Sequence, residues 1–148
     1  MQKLTILIID DSSVMSYFLA NFFFKKNYNV ISFTDSTKAL KAIENGLFVD
    51  AIITDLEMPK LSGLQLTKAI RDLKIDTPIA VLTASKESNI RIKCLASGAN
   101  ECIIKPFNPI ELGVRIQNLM KKNHLYTVIQ RQVPGYNIFR KLINEMST

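Results

Sequence analysis

The chain has 148 residues, 47% hydrophobic and 22% charged, with a formal net charge of +6. That length and balance fit one domain with a core large enough to fold without disulfides or a structural metal, and they exclude disorder, collagen and a disulfide scaffold. No apolar run approaches the roughly 20 residues that span a bilayer: Ile6 to Ile9 stops at Asp10, and Phe22-Phe23-Phe24 stops at Lys25. The first residues lack the small-residue cleavage site of a secretory leader, so a cytoplasmic chain without membrane contact is expected.

In chain order, short aliphatic or β-branched runs alternate with longer segments whose apolar residues recur at helical spacing. The predicted strands are Leu4 to Ile9, Asn29 to Phe33, Ala51 to Thr54, Ile79 to Thr83 and Glu101 to Lys105. Between and after them, Val14, Phe18 and Phe22 mark a first helix, and Ala39, Leu40 and Ile43 a second. Leu66, Ala69, Ile70 and Leu73 mark a third, Ile90, Cys94 and Leu95 a fourth, and Leu112, Ile116, Leu119 and Met120 a fifth. Ser12, Ser36 and Ser62 stand where helices need N-caps, and Gly46 and Gly98 where a left-handed residue ends them. Five βα units predict an α/β, doubly wound, five-stranded parallel sheet with five flanking helices. In such a sheet, ligands bind beyond the carboxyl ends of the strands.

Those ends carry Asp10 and Asp11 after the first strand, Asp55 after the third, Thr83 after the fourth and Lys105 after the fifth. Each has an ordinary explanation alone: a helix cap, a turn, a strand end, a solvated charge. Together they do not. Two carboxylates about 4 Å apart repel by roughly 4 kcal/mol at an effective dielectric near 20, so three in one pocket must be protonated, spread apart or bound to a cation. An all-oxygen set without histidine or cysteine points to Mg²⁺ or Mn²⁺ rather than zinc. Carboxylate-held metal beside a lysine and a threonine suits phosphoryl transfer, and Asp55 is the candidate nucleophile, since a carboxylate can itself form an acyl phosphate.

The motifs Leu7-Ile8-Ile9-Asp10-Asp11-Ser12, Thr54-Asp55-Leu56-Glu57-Met58-Pro59 with Gly63, Val81-Leu82-Thr83-Ala84, Gly98-Ala99-Asn100-Glu101 and Ile104-Lys105-Pro106-Phe107 resemble the receiver domain of two-component response regulators. The resemblance covers residues 3 to about 121. It implies a flavodoxin-like strand order 2-1-3-4-5 and a signalling switch rather than a true enzyme. Asp55 would accept a phosphoryl group from a sensor histidine kinase or a histidine phosphotransfer protein. Asp10, Asp11, Asp55 and the Glu57 carbonyl would hold Mg²⁺, Lys105 would pair with the phosphoryl group, and the Thr83 hydroxyl would swing to bond it. It also implies a cis Lys105-Pro106 bond and, as an option, a homodimer through the face formed by the fourth helix, fifth strand and fifth helix.

One position departs from the family. An aromatic residue usually stands three places before the lysine; here it is Cys102, so weak aromatic-type switching is expected. Cys94 and Cys102 have no Cys-x-x-Cys spacing, and only His124 as a further metal-type companion, so they are read as free thiols. The Glu57 carboxylate is a second point of interest: it is read either as reaching the metal or hindering an attacking water, or equally as an ordinary solvated loop residue.

The strongest rival is a haloacid-dehalogenase-like phosphohydrolase, which also uses an aspartyl nucleophile and Mg²⁺. Chain order argues against it: that family opens with Asp-x-Asp on the first strand, whereas here the acidic pair comes first and the lone Asp55 follows on the third. Flavin binding is not expected, because Asp10 and Asp11 would repel a phosphate at the first turn.

Residues 1 to 119 carry 14 basic and 12 acidic side chains, and residues 120 to 148 carry 5 and 1. The positive charge is thus mostly a property of a basic C-terminal extension, residues 122 to 148, and nucleic acid is not an expected partner. Leu119, Leu125, Val128 and Ile129 extend the fifth helical pattern, and Pro134-Gly135 interrupts it. Ile138, Phe139, Leu142, Ile143 and Met146 suggest a short amphipathic helix or a linker to an output domain. In the first helix, Phe18, Leu19, Phe22, Phe23 and Phe24 exceed what one buried face needs, and any left exposed would suit a kinase or phosphotransfer helix. The downstream effector is not identified by the sequence.

Overall fold

The computed structural model describes residues 3–132, 135, 141, 142 and 144–146. Five parallel strands, β1 (Thr5–Ile9), β2 (Asn29–Phe33), β3 (Ala51–Asp55), β4 (Ile79–Thr83) and β5 (Glu101–Ile104), form one sheet in the order β2-β1-β3-β4-β5. Register pairs Ile9 with Phe33 and Thr54, Asp55 with Leu82, and Thr83 with Ile104, which brings the carboxyl ends of all five strands to one rim. The intervening helices are α1 (Ser13–Lys25), α2 (Ser36–Glu44), α3 (Gly63–Asp72), α4 (Ile90–Ala96) and α5 (Pro109–Gln132). The expected fold class and strand order are both present.

β3 and β4 are buried along their whole length, as parallel strands covered on both faces must be. Alternate side chains supply two cores. On one face Leu7, Ile9, Ile52, Ile79 and Val81 meet Ala39 and Ile43 of α2, Leu66 and Ile70 of α3, and Ile90 and Cys94 of α4. On the other, Ile6, Ile8, Ile53, Ala80 and Leu82 meet Leu19 and Phe23 of α1 and Leu112, Ile116 and Met120 of α5.

Several local expectations need correction. The face α1 buries is Ser16, Leu19 and Phe23, whereas Val14 and Phe18 are 79% and 47% exposed. The helix is apolar on nearly every side, so spacing alone does not choose its inner face. Leu73 and Leu95, assigned to buried helix faces, are exposed. Ser36 does not cap α2: Asp35 does, accepting from Thr37 N and Lys38 N at 2.9 and 3.4 Å. The Ser36 hydroxyl is used elsewhere, donating to the Pro59 carbonyl and accepting from Leu61 N, both at 3.3 Å, which ties α2 to the loop after β3. Ser12 and Ser62 cap as expected, the latter in a full capping box with Gln65. Gly46 and Gly98 have φ of +99° and +105°.

Helix α5 runs unbroken through residue 121 to Gln132. Pro134, Ile138, Phe139, Arg140 and Ile143 of the expected terminal pattern lie outside the described residues, and Leu142 and Met146 are exposed. Among the described residues no helix is long and apolar enough to cross a membrane.

Candidate functional site

The acidic end of the sheet is assembled by backbone ties between strand ends. Asp10 N donates to the Phe33 carbonyl at 3.1 Å, Leu56 N to Leu82 at 2.8 Å, and Lys105 N to Thr83 at 2.7 Å. The chain after β3 turns back at once, with Gly63 N on the Leu56 carbonyl at 2.8 Å. A Cβ at Gly63 would collide with the Asp55 carbonyl oxygen and sit 2.9 Å from Leu56 Cα, so only glycine lets α3 start this close to the end of β3. The Lys105-Pro106 bond is cis, as the family resemblance implied.

Around this rim, one carboxylate oxygen from each of Asp10, Asp11 and Asp55 lies within 4.8 Å of the others. Asp10 and Asp55 are buried and Asp11 is exposed. Asp10 Oδ1 accepts from Ser12 N at 2.9 Å, while Asp10 Oδ2 is buried with no hydrogen-bond partner. A buried carboxylate oxygen without a donor is costly unless a cation supplies the missing positive charge. The donor set, three carboxylates without nitrogen or sulfur, fits a hard divalent cation of the Mg²⁺ type.

Lys105 Nζ donates to Asp55 Oδ1 at 2.8 Å. Burial lifts the Asp55 carboxyl above its ordinary 3.8, against the opposing pull of Lys105. Burial lifts Asp10 as well, with the Ser12 N–H opposing and the charge of Asp55 reinforcing. Burial alone would lower Lys105, but its hydrogen bond to Asp55, together with the charges of Asp55, Asp10 and Glu57, leaves its ammonium raised above the usual 10.5.

Thr83 is fully buried and its hydroxyl donates to Glu57 Oε1 at 2.6 Å, so in this conformation it is engaged away from Asp55. The five groups proposed from the sequence, Asp10, Asp11, Asp55, Thr83 and Lys105, thus meet at one end of the sheet. The Glu57 side chain joins them through Thr83. That bond crosses 26 residues, and nothing in the sequence signalled it.

Cys102 is buried on the α4 side of the sheet. Its thiol meets Cys94, which the sequence did not pair with it; burial first, and this contact second, push the Cys94 thiol up to about 12. Both cysteines are free, and His124 stands exposed on α5. Beside Cys102, Arg91, Ile104, Phe107, Glu111 and Arg115 line a groove of about 200 Å³ between α4 and α5.

Residues 6–117 match the sequence model of the response regulator receiver domain. The chain is 33% identical over 134 residues to the response regulator SaeR of Staphylococcus epidermidis, covering 88% of this chain and 58% of SaeR. It is 31% identical over 148 residues to hybrid signal transduction histidine kinase D of Dictyostelium discoideum, covering 98% of this chain and 9% of that protein. The chain therefore spans little more than half of the first relative and a small part of the second. Among solved structures, the receiver domain of the Francisella response regulator 1452 superposes with a TM-score of 0.77 at 30% identity, covering 82% of this chain and 99% of that one. Chemotaxis response regulator CheY4 of Vibrio cholerae gives 0.71 at 30% identity, over 80% and 99%. With the motifs, the sheet order, the acidic rim and these matches in agreement, the chain belongs to the response regulator receiver domain family of two-component signalling proteins.

Proposed function

We propose that this chain is the phosphoacceptor switch of a cytoplasmic two-component relay, and that Asp55 is its acceptor. The observation that carries this reading is the juxtaposition of a buried Asp55 with two further carboxylates on one side and Lys105 on the other. A carboxylate oxygen of Asp55 attacks phosphorus, the P–N bond of a phosphohistidine breaks, and the departing imidazole takes a proton. The product is an acyl phosphate.

Asp10, Asp11, Asp55 and the Glu57 carbonyl would hold Mg²⁺, which when bound neutralises charge on the transferred oxygens. Lys105 keeps a positive charge beside Asp55, so it pairs with the resting carboxylate and then with the phosphoryl group. Thr83, on the neighbouring strand end, is the hydroxyl that reports the new charge to α4. The chain changes state rather than turning over a substrate, apart from slow loss of its own phosphoryl group.

The phosphoryl donor is a sensor histidine kinase or a histidine phosphotransfer protein, in keeping with relatives named as response regulators and a hybrid histidine kinase. Val14, Tyr17 and Phe18, exposed on α1 next to the acidic rim, suit its docking helix. The exposed Ile92 and Leu95 of α4, together with the groove between α4 and α5, suit a homodimer or an effector on the α4-β5-α5 face. Residues 122–148, the first of which continue α5 to Gln132, would serve as a basic extension of the receiver unit. Phosphoramidate, a small donor with the P–N bond of phosphohistidine, tests the reading: phosphorylation that requires Mg²⁺ supports it, and no reaction with metal in excess removes it.

A further inference from the structure

The Thr83–Glu57 hydrogen bond is not required by the phosphoryl chemistry, yet it occupies the group on which signalling depends. At 2.6 Å it has the length of a hydroxyl donating to a carboxylate. Threonine has one hydroxyl proton and so makes one such donation at a time. Its accepting side is also in use, because Ser85 N donates to Thr83 Oγ1 at 3.0 Å. From there the connection continues along the loop: Glu87 N donates to Ser85 Oγ at 3.2 Å, and Lys93 Nζ of α4 pairs with Glu87 Oε1 at 2.7 Å. A continuous run of hydrogen bonds thus links the Thr83 hydroxyl to Lys93 on α4.

We propose that Glu57 is a positioning residue for Thr83: its carboxylate holds the Thr83 hydroxyl in the resting chain and competes with a phosphoryl group on Asp55 for that single proton. This rests on the phosphoacceptor reading and deepens it. Glu57 and a phosphorylated Asp55 are both anionic acceptors, and the hydroxyl satisfies one of them. The resting chain is thus latched by its own carboxylate, and the transition is an exchange of acceptors. Because Glu57 is exposed, water can take over its solvation when it is released, so the latch opens without stranding a buried charge. Thr83 is fully buried and β-branched, so its side chain has few rotamers and its hydroxyl serves one acceptor or the other rather than a spread of positions between them.

Two measurements test the latch. In the unphosphorylated protein, Glu57→Ala is expected to speed amide exchange at Ser85 and Glu87 about ten-fold, the order of one charge-assisted hydrogen bond, with Glu57→Gln in between because its amide oxygen still accepts. In titrations with fluoroberyllate and Mg²⁺, Glu57→Ala is expected to lower the half-saturating concentration about ten-fold in the native background and to have little effect when combined with Thr83→Ala. A gain of equal size in the Thr83→Ala background would mean that Glu57 acts only by charge repulsion at Asp55, which overturns the latch. Unchanged exchange at Ser85 and Glu87 overturns it as well. If the native chain binds no fluoroberyllate at all, the phosphoacceptor reading fails instead, while the exchange data still decide the resting contact.

Discussion

Lys105 Nζ and Asp55 Oδ1 lie 2.8 Å apart across 50 residues of sequence, joining the ends of β5 and β3 in the ion pair at the centre of the acidic rim. Asp55 is nearly enclosed, whereas Lys105 retains access to solvent, so the pair is neither a surface bridge nor a fully desolvated one. Lys105→Ala leaves a buried carboxylate facing Asp10 with no counter-charge. The expected cost in metal-free protein is about 1–2 kcal/mol, less than for a fully buried pair. Urea unfolding with and without Mg²⁺ checks this, and the loss should shrink when metal is present.

The pH dependence follows from the raised carboxyls of Asp10 and Asp55. A carboxyl raised on folding favours the folded state at low pH, and that contribution disappears as pH climbs from the unfolded value near 3.8 through the higher folded one. Metal binding requires the ionised forms, so Mg²⁺ competes with protons over the same interval. Thermal melts should therefore show little stabilisation by Mg²⁺ near pH 4 and a growing one toward neutrality. Asp10→Asn should raise the metal-free stability by about 1 kcal/mol at neutral pH while abolishing the Mg²⁺ effect. A Mg²⁺ effect that is the same at both pH values would show that these carboxylates are not its ligands.

Gly63→Ala is expected to damage the site from outside it. The added methyl meets the Asp55 carbonyl and Leu56 Cα, so α3 must move away from the strand that carries Asp55. Overpacking of this kind costs about 1–3 kcal/mol. Phosphorylation by a small donor should slow along with the loss of stability, which paired melting and mass measurements would detect.

Arg71 supplies the contrasting case. Its guanidinium donates to the carbonyls of Gly98, Ile75 and Thr77 at 2.9, 2.9 and 2.8 Å and to Asn100 Oδ1 at 3.0 Å. Asn100 Oδ1 in turn accepts from Ile79 N at 2.8 Å, which fixes the starts of β4 and β5 at the end of the sheet opposite the acidic rim. Arg71→Ala should cost about 2–4 kcal/mol through the carbonyls it strands. The folded fraction should still be phosphorylated at the native rate.

At Cys102, the chain lacks the aromatic ring that its family usually places there, and the thiol packs against Cys94 beneath α4. With Cys94 held near 12, the thiolate needed for alkylation is scarce at neutral pH. Iodoacetamide should modify Cys94 slowly in native protein and quickly in urea. Cys102→Phe should destabilise the resting fold by about 1–3 kcal/mol if the ring is held toward Cys94 under α4, and by little if it turns into the groove beside it; urea unfolding separates the two.

Much of this molecule was legible from the sequence because its signals are local. The aliphatic runs and their terminal residues gave the strands, and Asp10, Asp11, Asp55, Thr83 and Lys105 each stand at a strand end that topology then brings to one rim. The inner face of α1 was not legible, because with Val14, Phe18, Phe22, Phe23 and Phe24 on one helix the apolar positions have no single period. The cap of α2 was displaced by one residue, since Asp35 and Ser36 are both competent and the long-range tie from Ser36 to Pro59 decides between them. The Thr83–Glu57 and Cys94–Cys102 contacts depend on side-chain positions across different elements, which no periodicity encodes.

Intact-mass measurement after incubation with acetyl phosphate and excess Mg²⁺, on the native chain and on Asp55→Asn, addresses phosphoryl acceptance most directly. The native protein should gain the mass of one phosphoryl group, lose it again on removal of the donor, and fail to gain it in chelator, while Asp55→Asn stays unmodified throughout. A native chain that remains unmodified, or an Asp55→Asn chain that gains the same mass under the same conditions, would contradict the assignment of Asp55 as the acceptor.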